Sequence, residues 1–101
     1  MPSSPLQDAR RSIDKIDRRV VELLAERFAL VDELSATKAA SGAAVRDPER
    51  EQELLDRVSA LAEEHGLSPD LVRPIYEEVL ARSVRRQRRR RGEASAAQKT
   101  A

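Results

Sequence analysis

Seven side chains are of a type and spacing that could do chemistry: Arg27, Lys38, Asp47, Arg50, Glu51, Ser83 and Gln87. Each falls where a helical periodicity would place an apolar residue. Arg27 lies one heptad beyond Val20 and Lys38 one heptad beyond Val31, so the two cations share a face, about 16 Å apart along a helix axis. Asp47, Arg50 and Glu51 continue into Leu54, Leu55 and Val58 at helical spacing, and Val72, Tyr76 and Val79 continue into Ser83 and Gln87. Charge on a core-facing stripe is costly to bury unless a partner is buried with it. Three of the seven are cations, which makes the missing partner a small anion held inside a helical bundle. A dicarboxylate suits the set, because arginine offers a planar fork and lysine a mobile point donor. Taken one at a time, ordinary explanations exist. Arg27 could pair with Glu26 or Asp32, and Arg50 sits between Glu49 and Glu51.

Three helices must position these groups. Leu6, Ala9, Ile13, Ile16, Val20, Leu23, Leu30 or Val31, and Leu34 recur at steps of three and four, with no Pro or Gly between Leu6 and Ser41. One helix of about 5–40 follows, roughly 50 Å long. A compact domain of this size has a radius of gyration near 13 Å, roughly. Part of the long stripe therefore has to be covered by a second copy. Ala39–Arg46 reads as a turn, and Asp47-Pro48-Glu49 restarts a helix of about 48–65, with His65-Gly66 to stop it. Ser68-Pro69-Asp70 opens a third helix, about 69–88, with Pro74 bending or fraying its start. Residues 1–87 are then one helical domain, and residues 88–101 a basic tail without regular structure. The fold class is all-α: one very long and two shorter helices per chain, in an intertwined homodimeric bundle.

Composition narrows the chemistry. The 101 residues carry 19 basic and 18 acidic side chains, no Cys, one His and only two aromatic residues. Thiolate chemistry is excluded, and a histidine-based metal site is disfavoured. The charges in the first thirty residues leave no signal peptide or membrane span, so a cytoplasmic location is expected.

The segments Leu23-Leu24-Ala25-Glu26-Arg27, Lys38, Val45-Arg46-Asp47-Pro48-Glu49-Arg50-Glu51 and Ser83-Val84 with Gln87 resemble, in order and spacing, the active-site segments of the all-helical chorismate mutases. The resemblance covers roughly Leu6 to Gln87. It implies rearrangement of chorismate to prephenate, in phenylalanine and tyrosine biosynthesis, without cofactor or metal. It also implies a homodimer with two equivalent sites, each receiving an arginine from near the start of the partner's long helix, a position matched by Arg10. On that pattern Arg10, Arg27 and Lys38 hold the two carboxylates of the substrate dianion, with Ser83 assisting one. Glu51 and the backbone near Asp47 take the ring hydroxyl, Lys38 and Gln87 donate to the ether oxygen, and Arg50 stiffens the site by pairing with its carboxylates. Isochorismate pyruvate lyase and aminodeoxychorismate mutase resemble the same pattern. An activating partner enzyme occurs in some small members. Of a different class is a helical dimer binding nucleic acid through Arg85–Arg91, six arginines in seven residues. The lack of interleaved aromatic residues and the near-zero net charge disfavour that option.

Overall fold

Three α-helices follow one another: α1 (Pro5–Ser41), α2 (Pro48–Glu64) and α3 (Pro69–Thr100). A computed structural model describes the backbone of residues 4–100 and the side chains of residues 4–92, and no strand occurs among the described residues. Each helix begins with Pro at its first position, where the missing N–H would have no helical acceptor. Ahead of each proline stands a short polar residue. Ser4 and Gln7 form a reciprocal cap, the Gln7 N–H donating to Ser4 Oγ (3.1 Å) and the Ser4 N–H to Gln7 Oε1 (3.3 Å). Asp47 Oδ1 accepts from the Arg50 N–H (3.1 Å), and Ser68 Oγ from the Asp70 N–H (3.2 Å).

The first two helices end alike. Gly42 and Gly66 take φ of 76° and 72°, the left-handed region open to glycine. Past Gly42, the Ala43 N–H donates back to the Lys38 carbonyl (2.9 Å), and past Gly66 the Leu67 N–H donates to that of Ala62 (2.8 Å). These closures satisfy terminal carbonyls and reverse the chain sharply. Pro74 lies within α3 without ending it.

α3 also differs from expectation at its far end. It remains helical past Arg88, where the apolar periodicity stops, through the arginine run to Thr100, although the sequence pattern gives no regular structure there. Arginine and alanine are strong helix formers and sustain a helix that has no apolar face to bury. Ala101 lies outside the described residues.

The chain separates into two units, Met1–Leu30 and Val31–Ala101, with α1 passing through both. In the first unit Leu6, Ile13, Ile16, Val20, Val21, Leu23 and Leu30 are each between 47% and 64% exposed. In the second, α2 packs on α3, with Val58 and Ala62 buried. Burying a valine side chain in full is worth about 1.5–3 kcal/mol. Beside this small apolar core, three of the buried side chains are polar: Ser35, Ser83 and Gln87. Among the described residues no helix is long and apolar enough to cross a membrane.

Candidate active site

The turn after α1 decides the environment of Lys38. With Gly42 reversing the chain, Val45 comes back alongside the last turn of α1, and Lys38 Nζ donates to the Val45 carbonyl at 2.8 Å. The same ammonium donates to Gln87 Oε1 at 3.2 Å, across 49 residues of sequence. Of its three N–H groups two are engaged by described residues, which leaves the third for a ligand oxygen. Gln87 is 5% exposed. Its carbonyl oxygen faces the lysine, and its amide NH2 remains a donor. A cation held from two sides and the buried neutral amide bonded to it thus form a preorganised donor pair.

Ser83 lies one turn before Gln87 on α3 and is buried as well; its Oγ donates to the Val79 carbonyl at 2.8 Å. On α2 the Asp47 side chain is occupied by its capping bond, and the Asp47 carbonyl accepts from the Glu51 N–H at 3.0 Å. Glu51 is partly buried and faces a cavity of about 540 Å³ between α2 and α3, which is also lined by Arg46, Leu55, Val84, Arg85 and Arg88. Lys38, Ser83 and Gln87 do not line that cavity.

The structure thus brings Lys38 and Gln87 into direct contact, with Ser83 a turn away, and sets Asp47 at the cap and Glu51 on the first turn of α2. Arg50 departs from its expected part. Its Nη1 lies 3.6 Å from Glu53, on the outward side of α2, and the guanidinium that meets Glu51 is that of Arg46, with Nε 2.8 Å from Oε2. Arg50 is three residues before Glu53, near neighbours on the helix surface, whereas Arg46 precedes the helix and can fold back over its first turn. Arg10 and Arg27 belong to α1 in the first unit, Arg10 exposed and Arg27 partly buried.

A second group of charges was not legible as part of the site. Asp32 receives both arms of Arg86, Nε at 2.7 Å and Nη2 at 2.8 Å, and Arg90 Nε at 2.8 Å. These hydrogen bonds, that from Arg86 foremost, outweigh partial burial and hold the Asp32 carboxyl below its usual range; the same pairing raises Arg86. Arg86 and Arg90 are four apart on α3 and flank Gln87, so this clamp ties α1 to α3 beside the Lys38 contact. The spacing of the two arginines was the available signal. It was obscured by the uninterrupted basic run around them.

The order of these segments has a counterpart among known proteins. The family model for chorismate mutase type II matches residues 9–88, a stretch that contains Arg10, Gln87 and every candidate residue between them. The chain belongs to the type II chorismate mutase family. It is 33% identical over 72 residues to the chorismate mutase of Methanocaldococcus jannaschii, covering 71% of this chain and 73% of that protein. It is 34% identical over 83 residues to the bifunctional chorismate mutase/prephenate dehydratase of Enterobacter agglomerans, and 38% identical over 80 residues to the T-protein of Haemophilus influenzae. These matches take in 82% and 79% of this chain but only 21% and 20% of the relatives, so the chain spans about a fifth of either. As a member of the family it is an isomerase by class.

Proposed function

We propose that this chain converts chorismate to prephenate as a cytoplasmic homodimer. The observation that carries this reading is the part-buried contact of Lys38 with the buried amide of Gln87, in a chain of the type II chorismate mutase family. A Claisen rearrangement breaks the ether C–O bond and forms a C–C bond within one molecule, with no proton transferred and no covalent enzyme intermediate. The protein therefore has two tasks. It folds a flexible dianion into the compact reactive conformer, and it stabilises the negative charge that grows on the ether oxygen.

Lys38 and Gln87 perform the second task. Both are fixed before the substrate arrives, so no reorganisation is needed as charge develops. Arg27 and Lys38 grip the two carboxylates, aided by Ser83 and by Arg10 of a second copy. Glu51 accepts from the ring hydroxyl, next to the backbone near Asp47. The half-exposed apolar side chains Leu6, Ile13, Ile16 and Val20 support the homodimer, since a second α1 laid along them would bury surface that water otherwise meets. Fusion of the mutase to prephenate dehydratase in relatives supports coupling to an enzyme that consumes prephenate.

Incubating the purified chain separately with chorismate, isochorismate and aminodeoxychorismate, and identifying the products, tests the reading. Prephenate formed from chorismate, with the other two turned over far more slowly, is the expected result. Pyruvate release from isochorismate as the dominant reaction would replace it.

A further inference from the structure

Two adjacent residues in the turn before α2 each hold one group of the proposed site. The Val45 carbonyl accepts from Lys38 Nζ at 2.8 Å, and Arg46 Nε lies 2.8 Å from Glu51 Oε2. The turn that carries them is closed at both ends, by left-handed Gly42 on one side and by the Asp47 cap with Pro48 on the other. Val45 and Arg46 therefore tie the lysine donor and the glutamate acceptor to one short turn.

We infer that Arg46 is a positioning residue for Glu51. Its bond occupies one carboxylate oxygen, Oε2, and leaves Oε1 as the acceptor for a ligand hydroxyl. Without that bond the carboxylate can turn about its terminal torsion and present either oxygen in several directions. Arg46 is itself largely exposed, 61% at its side chain, whereas Glu51 is 21% exposed. An exposed arginine bonded to a half-sheltered glutamate contributes little to folding. Its consequence is orientation of the Glu51 carboxylate, beside the turn that also holds Lys38. Arg50, to which the resemblance gives the pairing with the site's carboxylates, lies 3.6 Å from Glu53.

This assignment rests on the proposed reaction, and its test separates the two. The ring hydroxyl takes no part in bond breaking, so loosening its acceptor weakens substrate and transition state alike. Arg46→Gln is expected to raise KM for chorismate about three- to tenfold with kcat nearly unchanged, and to leave the urea unfolding midpoint where it was. In a Glu51→Gln background the same substitution is expected to change KM by less than about twofold, because the two residues act as one unit. A wild-type KM in Arg46→Gln, an equal KM effect in both backgrounds, or a rise in KM matched by a fall in the urea midpoint each overturns the role of Arg46 while leaving the mutase reading intact. Absence of chorismate turnover by the unsubstituted chain overturns both.

Discussion

Replacing Gln87 by Glu exchanges a neutral donor for a titratable group at one buried point. The present amide oxygen is 3.2 Å from Lys38 Nζ, and Gln87 is 5% exposed. At neutral pH the new carboxylate would face the ammonium at that distance, an attraction of about 5 kcal/mol at an effective dielectric constant of about 20. Two losses follow. Lys38 is drawn toward the carboxylate and away from the ligand oxygen, and the ether oxygen meets a negative group where it had an N–H donor. Removing one preorganised donor from a developing oxyanion costs about 100- to 1000-fold in kcat, and the added repulsion places Gln87→Glu at the upper end. Protonation reverses both effects, since a carboxylic acid has an O–H to donate. Burial at position 87 and the bound dianion both raise the new carboxyl and oppose the attraction of Lys38, so chorismate consumption followed by absorbance between about pH 4 and 8 should show a variant that gains activity steadily as the pH falls, beside a native enzyme whose Gln87 does not titrate. A variant as active at pH 7.5 as at pH 4.5 would refute the placement of Gln87 at the ether oxygen.

Lys38→Ala should reduce kcat by about 100-fold or more, with far-UV circular dichroism unchanged; turnover within a few-fold of native would remove Lys38 from the reacting oxygen. Because the Asp32 carboxyl is held below its ordinary value of 3.8 by Arg86 and Arg90, its stabilising effect is complete above that value and is lost as the pH falls through the lowered one. Urea midpoints of the native chain should thus exceed those of Asp32→Asn at neutral pH and converge with them in strong acid, and an unchanging gap would show that the clamp does not titrate as described. Gly66→Ala meets no neighbour within 4 Å, so its cost is that of the left-handed backbone alone, about 1–2 kcal/mol, read as a lower melting temperature. Ile13→Glu places charge on the exposed stripe of α1 and should shift sedimentation from dimer to monomer, whereas an unaltered sedimentation coefficient would exclude that stripe from the interface.

The local signals along the chain were sufficient for its helices. Apolar residues at steps of three and four, prolines after Ser4, Asp47 and Ser68, and glycines at 42 and 66 are near-neighbour effects, and the helix starts and the ends of α1 and α2 fall where they point. The same periodicity singled out Lys38, Ser83 and Gln87, because a polar residue in an apolar stripe is visible without knowing what it touches. What it touches was a matter for the tertiary structure. Lys38 reaches Gln87 only once the Gly42 turn and the folding of the second unit bring the end of α1 within side-chain reach of α3. Arg50 stands next to Glu51 in sequence and Arg46 five residues before it, and only the path of the backbone before α2 gives Glu51 to Arg46. Asp32 lies only five residues from Arg27 in sequence, yet it is bound by Arg86 and Arg90 across more than fifty residues. Which residues are polar on an inward face is written in one dimension; which of them meet depends on where separate helices cross, and no short-range pattern encodes that.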